Sequence, residues 1–132
     1  MKVPLKRTLT MICAAVALDA TLQTIIGKAP FAGTVTSVEY IPLAAITGAN
    51  TDTRKVSVHN RGSAGLGTTE IASKEFDAGF NGVAFDAKAL DLNGTAANLQ
   101  VNAGDVITFD SETIGTGIAD PGGTVIIELT RS

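Results

Sequence analysis

The chain has no tryptophan, one tyrosine, one histidine and one cysteine in 132 residues. Each scarcity removes a class of chemistry. A lone cysteine cannot close an intrachain disulfide, so neither a disulfide-stapled scaffold nor a cysteine zinc site can be built. Cys13 sits in the apolar run from Met11 to Val16 and is expected as a small buried core residue. The lone His59 has no second histidine to share a metal and no local Ser or Cys arranged as a nucleophile, so its expected role is structural. Few aromatics and no clustered Lys/Arg face leave nothing to stack on bases or coat a phosphate backbone, and nucleic acid is not an expected partner. The longest apolar stretch, Leu9 to Leu18, is too short for a helix to cross a bilayer, and no membrane is expected either.

What the chain does have is glycine, 14 of them, and 45% hydrophobic residues, many of them Ala, Val, Ile and Leu. Short strands joined by tight turns follow from that composition, so the expected class is all-β. The length suits one domain, since a chain of this size buries roughly two-thirds of its unfolded surface without staples. Charge is uneven. Lys2, Lys6 and Arg7 put three cations into the first seven residues, and the rest of the chain carries net −6 against −3 overall. A basic start ahead of an acidic body can dock on an acidic partner surface. The same start, followed by the apolar run and the small triplet Ala15-Val16-Ala17, also imitates a secretory signal. The reading carried forward is residues 1–18 as an N-terminal arm or first strand and residues 19–132 as a β-sandwich domain.

Strand signals recur through the body. Gln23 to Ile26 comes first, with Pro30 expected at an edge or bend because it cannot donate to a ladder. In Gly33–Pro42, Val38 and Tyr40 alternate with Ser37 and Glu39, which puts Tyr40 on the core side, although Val35 and Ile41 blur the division. Thr47 to Asp52 reads as a polar turn with room for a short helical turn. Arg54–Asn60 is the clearest half-buried strand, with Val56 and Val58 on one face and Lys55, Ser57 and His59 toward solvent on the other. Further β-like segments are Thr68 to Phe76, Val83 to Asp86, Ala89 to Leu92, Val106 to Phe109 and Thr124 to Leu129. Asn93-Gly94 carries the strongest two-residue hairpin signal. The sum is a single-domain β-sandwich or jelly roll of about eight short strands.

Candidate sites are few. Gly62, Gly65 and Gly67 imitate a phosphate loop, but neither a following helix nor a Lys-Ser pair is present, so a hairpin loop is expected. Asp91 to Thr95 lacks the further acidic positions of a calcium loop. Asp105, Asp110, Glu112 and Asp120 could surround a cation or supply a carboxylate pair, yet their spacing matches no metal loop and they read as solvated acids beside turns. No enzyme activity, metal or cofactor is expected.

Ala29 to Pro42, Ile46 to Arg54, Asn60 to Gly65, Ala103-Gly-Asp105 and Gly117 to Gly123 are phrased, strand and turn, in a way that resembles small tailed-phage virion proteins of the capsid decoration (cement) or head-fibre type. The resemblance covers most of the chain from about residue 16 onward. It implies a non-enzymatic β-rich protein on the outer surface of the capsid, partnered by the major capsid protein and assembled as a homotrimer. Lys2, Lys6 and Arg7 are the expected capsid-docking residues. The alternative is a tail-fibre or receptor-binding module that contacts glycans.

Overall fold

Alternation builds most of this molecule, and two interruptions of it decide which residues reach the core. The computed structural model describes residues 5–132. Strand β3 (Gly33–Pro42) buries Val35, Val38 and Tyr40 together, a spacing that strict alternation forbids. A bulge resolves the conflict: the register with β10 (Gly123–Arg131) shifts between Glu128 and Leu129, so that Ser37 faces Glu128 while Val35 faces Leu129. Thr36 is the extra residue, and its hydroxyl donates to Glu128 Oε1 at 2.8 Å. The same device in β5 (Thr69–Phe76) lets Ile71 and Ala72 both face inward, where its register with β4 (Thr53–Asn60) slips between Val58 and His59.

The first sheet runs β1 (Lys6–Cys13), β10, β3, with two-residue strands β6 (Lys88–Ala89) and β8 (Gln100–Val101) on the far side of β3. The second runs β2 (Leu22–Lys28), β9 (Val106–Ile114), β4, β5 and β7 (Asp91–Leu92). Every pairing between these described strands is antiparallel. The pairs are nested along the chain: β1 with β10, β2 with β9, β3 with β8, and β4 with β5. The polypeptide is therefore one long antiparallel hairpin, turned at residues 61–68 and rolled so that successive pairs fall in opposite sheets. That is a jelly roll, with ten strands among the described residues where about eight were expected, three of them only two residues long. Residues 6–13, inside the stretch read as an arm or first strand, run as β1 against the whole length of β10.

The rolled topology overrules two local turn signals. Asn93-Gly94 does not close a hairpin, because β7 and β8 on either side of it lie in different sheets. Asn93 instead makes a side-chain turn: its Oδ1 accepts from Thr95 N at 2.8 Å, its Nδ2 donates to Glu70 O at 2.9 Å, and the chain crosses over through a 3-10 turn, Ala96–Leu99. Val83 to Asp86 is a turn rather than a strand, and the helical turn allowed for in Thr47–Asp52 is a bend. The glycine-rich segment after β4 does join two neighbouring antiparallel strands, with Gly67 N donating to Arg61 O at 2.8 Å.

Between the sheets lies one apolar cluster drawn from all the long strands, including Leu9 and Met11 at its margin and Val56, Val58, Ile107, Phe109, Val125, Ile127 and Leu129 at its centre. Tyr40 stacks on Phe109 with ring centroids 5.3 Å apart, joining the two sheets. Ile127 sits mid-strand in β10, fully buried, with Leu9 and Val38 directly beside it. Ile127→Ala is expected to cost about 2–5 kcal/mol in denaturant unfolding, whereas truncating the exposed Leu66 should stay within about 0.5 kcal/mol.

Candidate functional site

The four acidic residues singled out from sequence are brought to separate places, and three of them are buried. Asp105, Asp110 and Asp120 are all closed from solvent, which corrects the expectation of solvated turn acids. Each is consumed by neighbours. Asp105 accepts from Asn60 Nδ2 at 2.9 Å and from Asn102 N at 2.8 Å, tying the β8–β9 turn to the end of β4. Glu112, half-exposed, faces Lys55 across the β4–β9 pair. Among the described residues no group of three or more His, Cys, Asp or Glu side chains is placed to hold a metal ion.

Asp120 belongs to the interior. Its Oδ1 accepts from the Tyr40 hydroxyl at 2.6 Å and from Gly122 N at 2.9 Å, and its Oδ2 accepts from Ser111 Oγ at 2.6 Å. Beside it lies Arg54, fully buried although it is the first charged residue of a strand read as half-wet. Its parity is that of Val56 and Val58, so β4 aims it inward. The guanidinium donates to Ile118 O at 2.8 Å, Ala20 O at 2.8 Å and Ala17 O at 2.7 Å, with Ser111 Oγ at 3.5 Å. Those carbonyls come from the β1–β2 and β9–β10 loops, which together close one end of the sandwich. Gly117 permits the approach: its φ is +77°, and a Cβ there would run into Leu18 O and the Thr113 side chain. Burial lowers the Arg54 pKa, opposed by the charge of Asp120. The same burial, reinforced by Asp120, raises the Tyr40 hydroxyl far above the ordinary phenol range.

On the outer face of the second sheet, His59 does not point freely to solvent. Its side chain is 16% exposed, with Nδ1 3.3 Å from Asp110 Oδ2. Arg61 Nη2 reaches the same oxygen at 3.0 Å while its Nε donates to Thr108 Oγ1 at 3.0 Å, and Gln23 Nε2 lies at 3.4 Å. Sequence alternation was right about the face and wrong about its wetness, because Asp110 on the neighbouring strand draws the three long side chains down over itself. Ser57 lies opposite Asp110 in the register, but its Oγ is buried and makes no hydrogen bond to His59. The three residue types of a nucleophilic triad are thus near one another without the contact that would activate the serine.

Of the expected docking residues, Lys2 lies outside the described residues, and Lys6 and Arg7 are exposed at the start of β1. Lys6 Nζ is 3.8 Å from Glu128 Oε1. Tyr40, the sole tyrosine, is buried, so it offers no platform for a sugar ring. A feature missed from sequence lies at the end of β3. Phe85 N donates to Pro42 O at 2.9 Å, and Ile46 and Gly82 exchange backbone hydrogen bonds at 2.8 and 3.1 Å. These bonds hold together two loops that expose Leu43 by 60%, Val83 by 52% and Phe85 by 78%. Phe85 has a φ of +64°, unusual for a bulky side chain. A hydrophobic residue two positions after Val83 was read as strand alternation, and no sequence signal marks the left-handed backbone.

Removing Arg54 should leave buried carbonyls without their donor and take away the positive charge that offsets Asp120, so Arg54→Met is expected to destabilise by about 3–5 kcal/mol in urea titration, and Tyr40→Phe by about 1–3 kcal/mol. Burial pushes the Cys13 thiol up to about 11, with Asp120 adding to the rise. A thiol held neutral by folding and free to ionise when unfolded loses stability as pH climbs from 9 toward 11. The melting temperature should be flat from pH 7 to about 8.5 and then fall, with Cys13→Ala removing the early part of the fall and a thiol reagent labelling Cys13 only as the chain unfolds.

No family model matches the chain. No curated protein matches it either. Among solved structures, a chain from the structure of infectious bursal disease virus, Gx strain, is similar at a TM-score of 0.44 and 9% identity, over 94% of this chain and 32% of that one. This chain thus spans about a third of the length of that viral chain.

Proposed function

We propose that the chain is a structural protein of a bacteriophage virion, seated on the outer surface of the capsid, where it decorates the shell and braces neighbouring copies of the major capsid protein. It acts without making or breaking covalent bonds and without a cofactor. The observation that carries this reading is the apolar end formed by Leu43, Val83 and Phe85. Large apolar side chains gathered at one end of a small domain mark a contact surface. Phe85 is held there on a backbone conformation that costs a non-glycine residue on the order of 1–3 kcal/mol. A surrounding structure that tolerates such a cost fixes where the ring points.

The polar residues support the reading from the other side. Asp105, Asp120, Arg54 and Tyr40 spend their hydrogen bonds inside the molecule, and Asp110 is covered by Arg61, His59 and Gln23, which favours adhesion over chemistry as what the surface offers. Lys6 and Arg7 add a positive spot for an acidic patch on the capsid protein. Assembly as a homotrimer, implied by the resemblance, would multiply contacts that are individually weak.

The test is binding to shells assembled from the major capsid protein of the same phage, followed by a cryo-EM map of the decorated particle. Phe85→Asp is expected to lower occupancy at least about tenfold with no loss of melting temperature, and Lys6→Glu with Arg7→Glu should weaken binding most at low salt. Density on the tail, or occupancy indifferent to Phe85, would overturn the assignment.

A further inference from the structure

The strand edges of the two sheets differ sharply in how they are protected. Among the described residues, β6, β7 and β8 are two residues each and too short to template another strand. Strand β2 is longer, but its register with β9 breaks between Ile25 and Gly27 and it ends on Lys28, two of the devices that keep edges from pairing. Strand β1 has no bulge, and its charges, Lys6 and Arg7, stand together at its first two positions. It pairs with β10 in unbroken register from Lys6–Thr130 to Cys13–Gly123, and no described strand pairs its other side.

The phase of that ladder says which groups are free. Arg131 N donates to Leu5 O at 2.8 Å. In an antiparallel pair the bonded positions alternate, so Arg7, Leu9, Met11 and Cys13 bond to β10, while Lys6, Thr8, Thr10 and Ile12 turn their N–H and C=O groups outward. Ile12 is 79% exposed. The middle of the edge, Thr8 to Ile12, carries no charge, and its threonines and Ile12 favour extended pairing.

We infer that β1 pairs with β1 of a second copy of this chain, antiparallel and centred on Leu9, so that two sandwiches share one continuous sheet. Charge selects the direction. A parallel pairing sets Lys6 and Arg7 beside their own like, whereas the antiparallel one sets the basic end of each strand against the apolar end of the other. Lys6 then faces Ile12, Arg7 faces Met11, Thr8 faces Thr10, and Leu9 meets Leu9 on the core side. All outward backbone groups fall into bonded pairs, Lys6 with Ile12 and Thr8 with Thr10, each twice by symmetry. The aliphatic stem of Lys6 covers the second copy's Ile12 while its ammonium stays within reach of Glu128. This pairing is independent of the capsid reading, and it leaves the Phe85 end free.

Light scattering and sedimentation equilibrium of the isolated full chain, with hydrogen exchange at single-amide resolution, test it. Thr10→Pro removes only an outward N–H, so the β1–β10 ladder is kept, and Ile12→Lys places a second ammonium opposite Lys6 of the other copy. The expected result is an even-numbered assembly whose mass halves in either variant: a dimer to a monomer, or a hexamer to a trimer if a three-fold contact exists elsewhere. The apparent dissociation constant of the pairing step should rise at least about tenfold. In the wild type, amides of Lys6, Thr8, Thr10 and Ile12 exchange slowly, and in Ile12→Lys these four become fast while Leu9 and Met11 stay protected. A wild-type monomer or lone trimer with fast exchange at Thr8 and Thr10 would overturn the pairing, as would a mass unchanged in both variants with melting temperature preserved.

Discussion

A buried guanidinium holds one end of this sandwich shut. Two sheets packed face to face cover each other's apolar faces, but the loops crossing between them at the ends carry backbone carbonyls that cannot all reach water. Arg54 supplies the donors. Its fork spends Nε, Nη1 and Nη2 on carbonyls of Ile118, Ala20 and Ala17, so that the β1–β2 and β9–β10 crossings, which pass between the sheets, are both tied to β4. A lysine could not do this, since a single ammonium cannot serve three carbonyls in a planar fork. The charge is answered by Asp120, which in turn binds Tyr40 of β3 and Ser111 of β9. A buried ion is costly unless its hydrogen bonds are nearly all met, and here the chain Arg54, Ser111, Asp120, Tyr40 meets them while crossing from one sheet to the other.

That network explains which parts of the molecule could be read from sequence. Alternation in β3 and β4 gave the core side of Val38, Tyr40, Val56 and Val58 because a residue's face depends only on local pleat. The partners of Arg54 could not be read, since Ala17, Ala20, Ile118 and Ser111 lie 34 to 64 residues away along the chain. One signal was available: Arg54 shares the parity of Val56 and Val58, so a strand that buries the valines must bury or bend away from the arginine. The acids failed for the complementary reason. Asp105 and Asp120 sit beside a glycine and a proline in turns that look wet, and Asp110 lies on the outer face of β9; only the folded chain brings the groups that close over them. Local turn chemistry was outvoted in the same way at Asn93-Gly94, where the jelly roll needs a crossing and the dipeptide is put to use as a side-chain turn.

The outer faces follow a different logic from the core. On the second sheet Arg61, His59 and Gln23 gather over Asp110, so a carboxylate on a nominally exposed face is as closed as one in the interior. Lys55 with Glu70 and Lys74 with Asp91 pair across the neighbouring strands at 3.3 Å each. A face laced in this way has already turned these charges on one another. The first sheet is otherwise: its outward row includes Ile12, Ile41 and Ile126 among threonines, with Lys6 and Glu128 as the ion pair between its long strands.

Asymmetry between the faces bears on how a small jelly roll can build something larger than itself. Strand edges aggregate unless bulged, shortened or charged, and among the described residues every edge except β1 is bulged or short, while β1 carries charge at one end alone. The bulge in β2 and the brevity of β6, β7 and β8 show that the fold has means to close an edge. Leaving β1 open and regular, with its positive charge confined to one end, sets a direction for pairing that a uniformly protected or uniformly apolar edge would lack. The apolar end around Phe85 is turned out by different loops and is free to meet a different surface. The proposed β1 pairing and the proposed capsid contact together ask for two unlike surfaces on one rigid body, and the rigidity between them traces back to the sheets that Arg54 and Asp120 lock together.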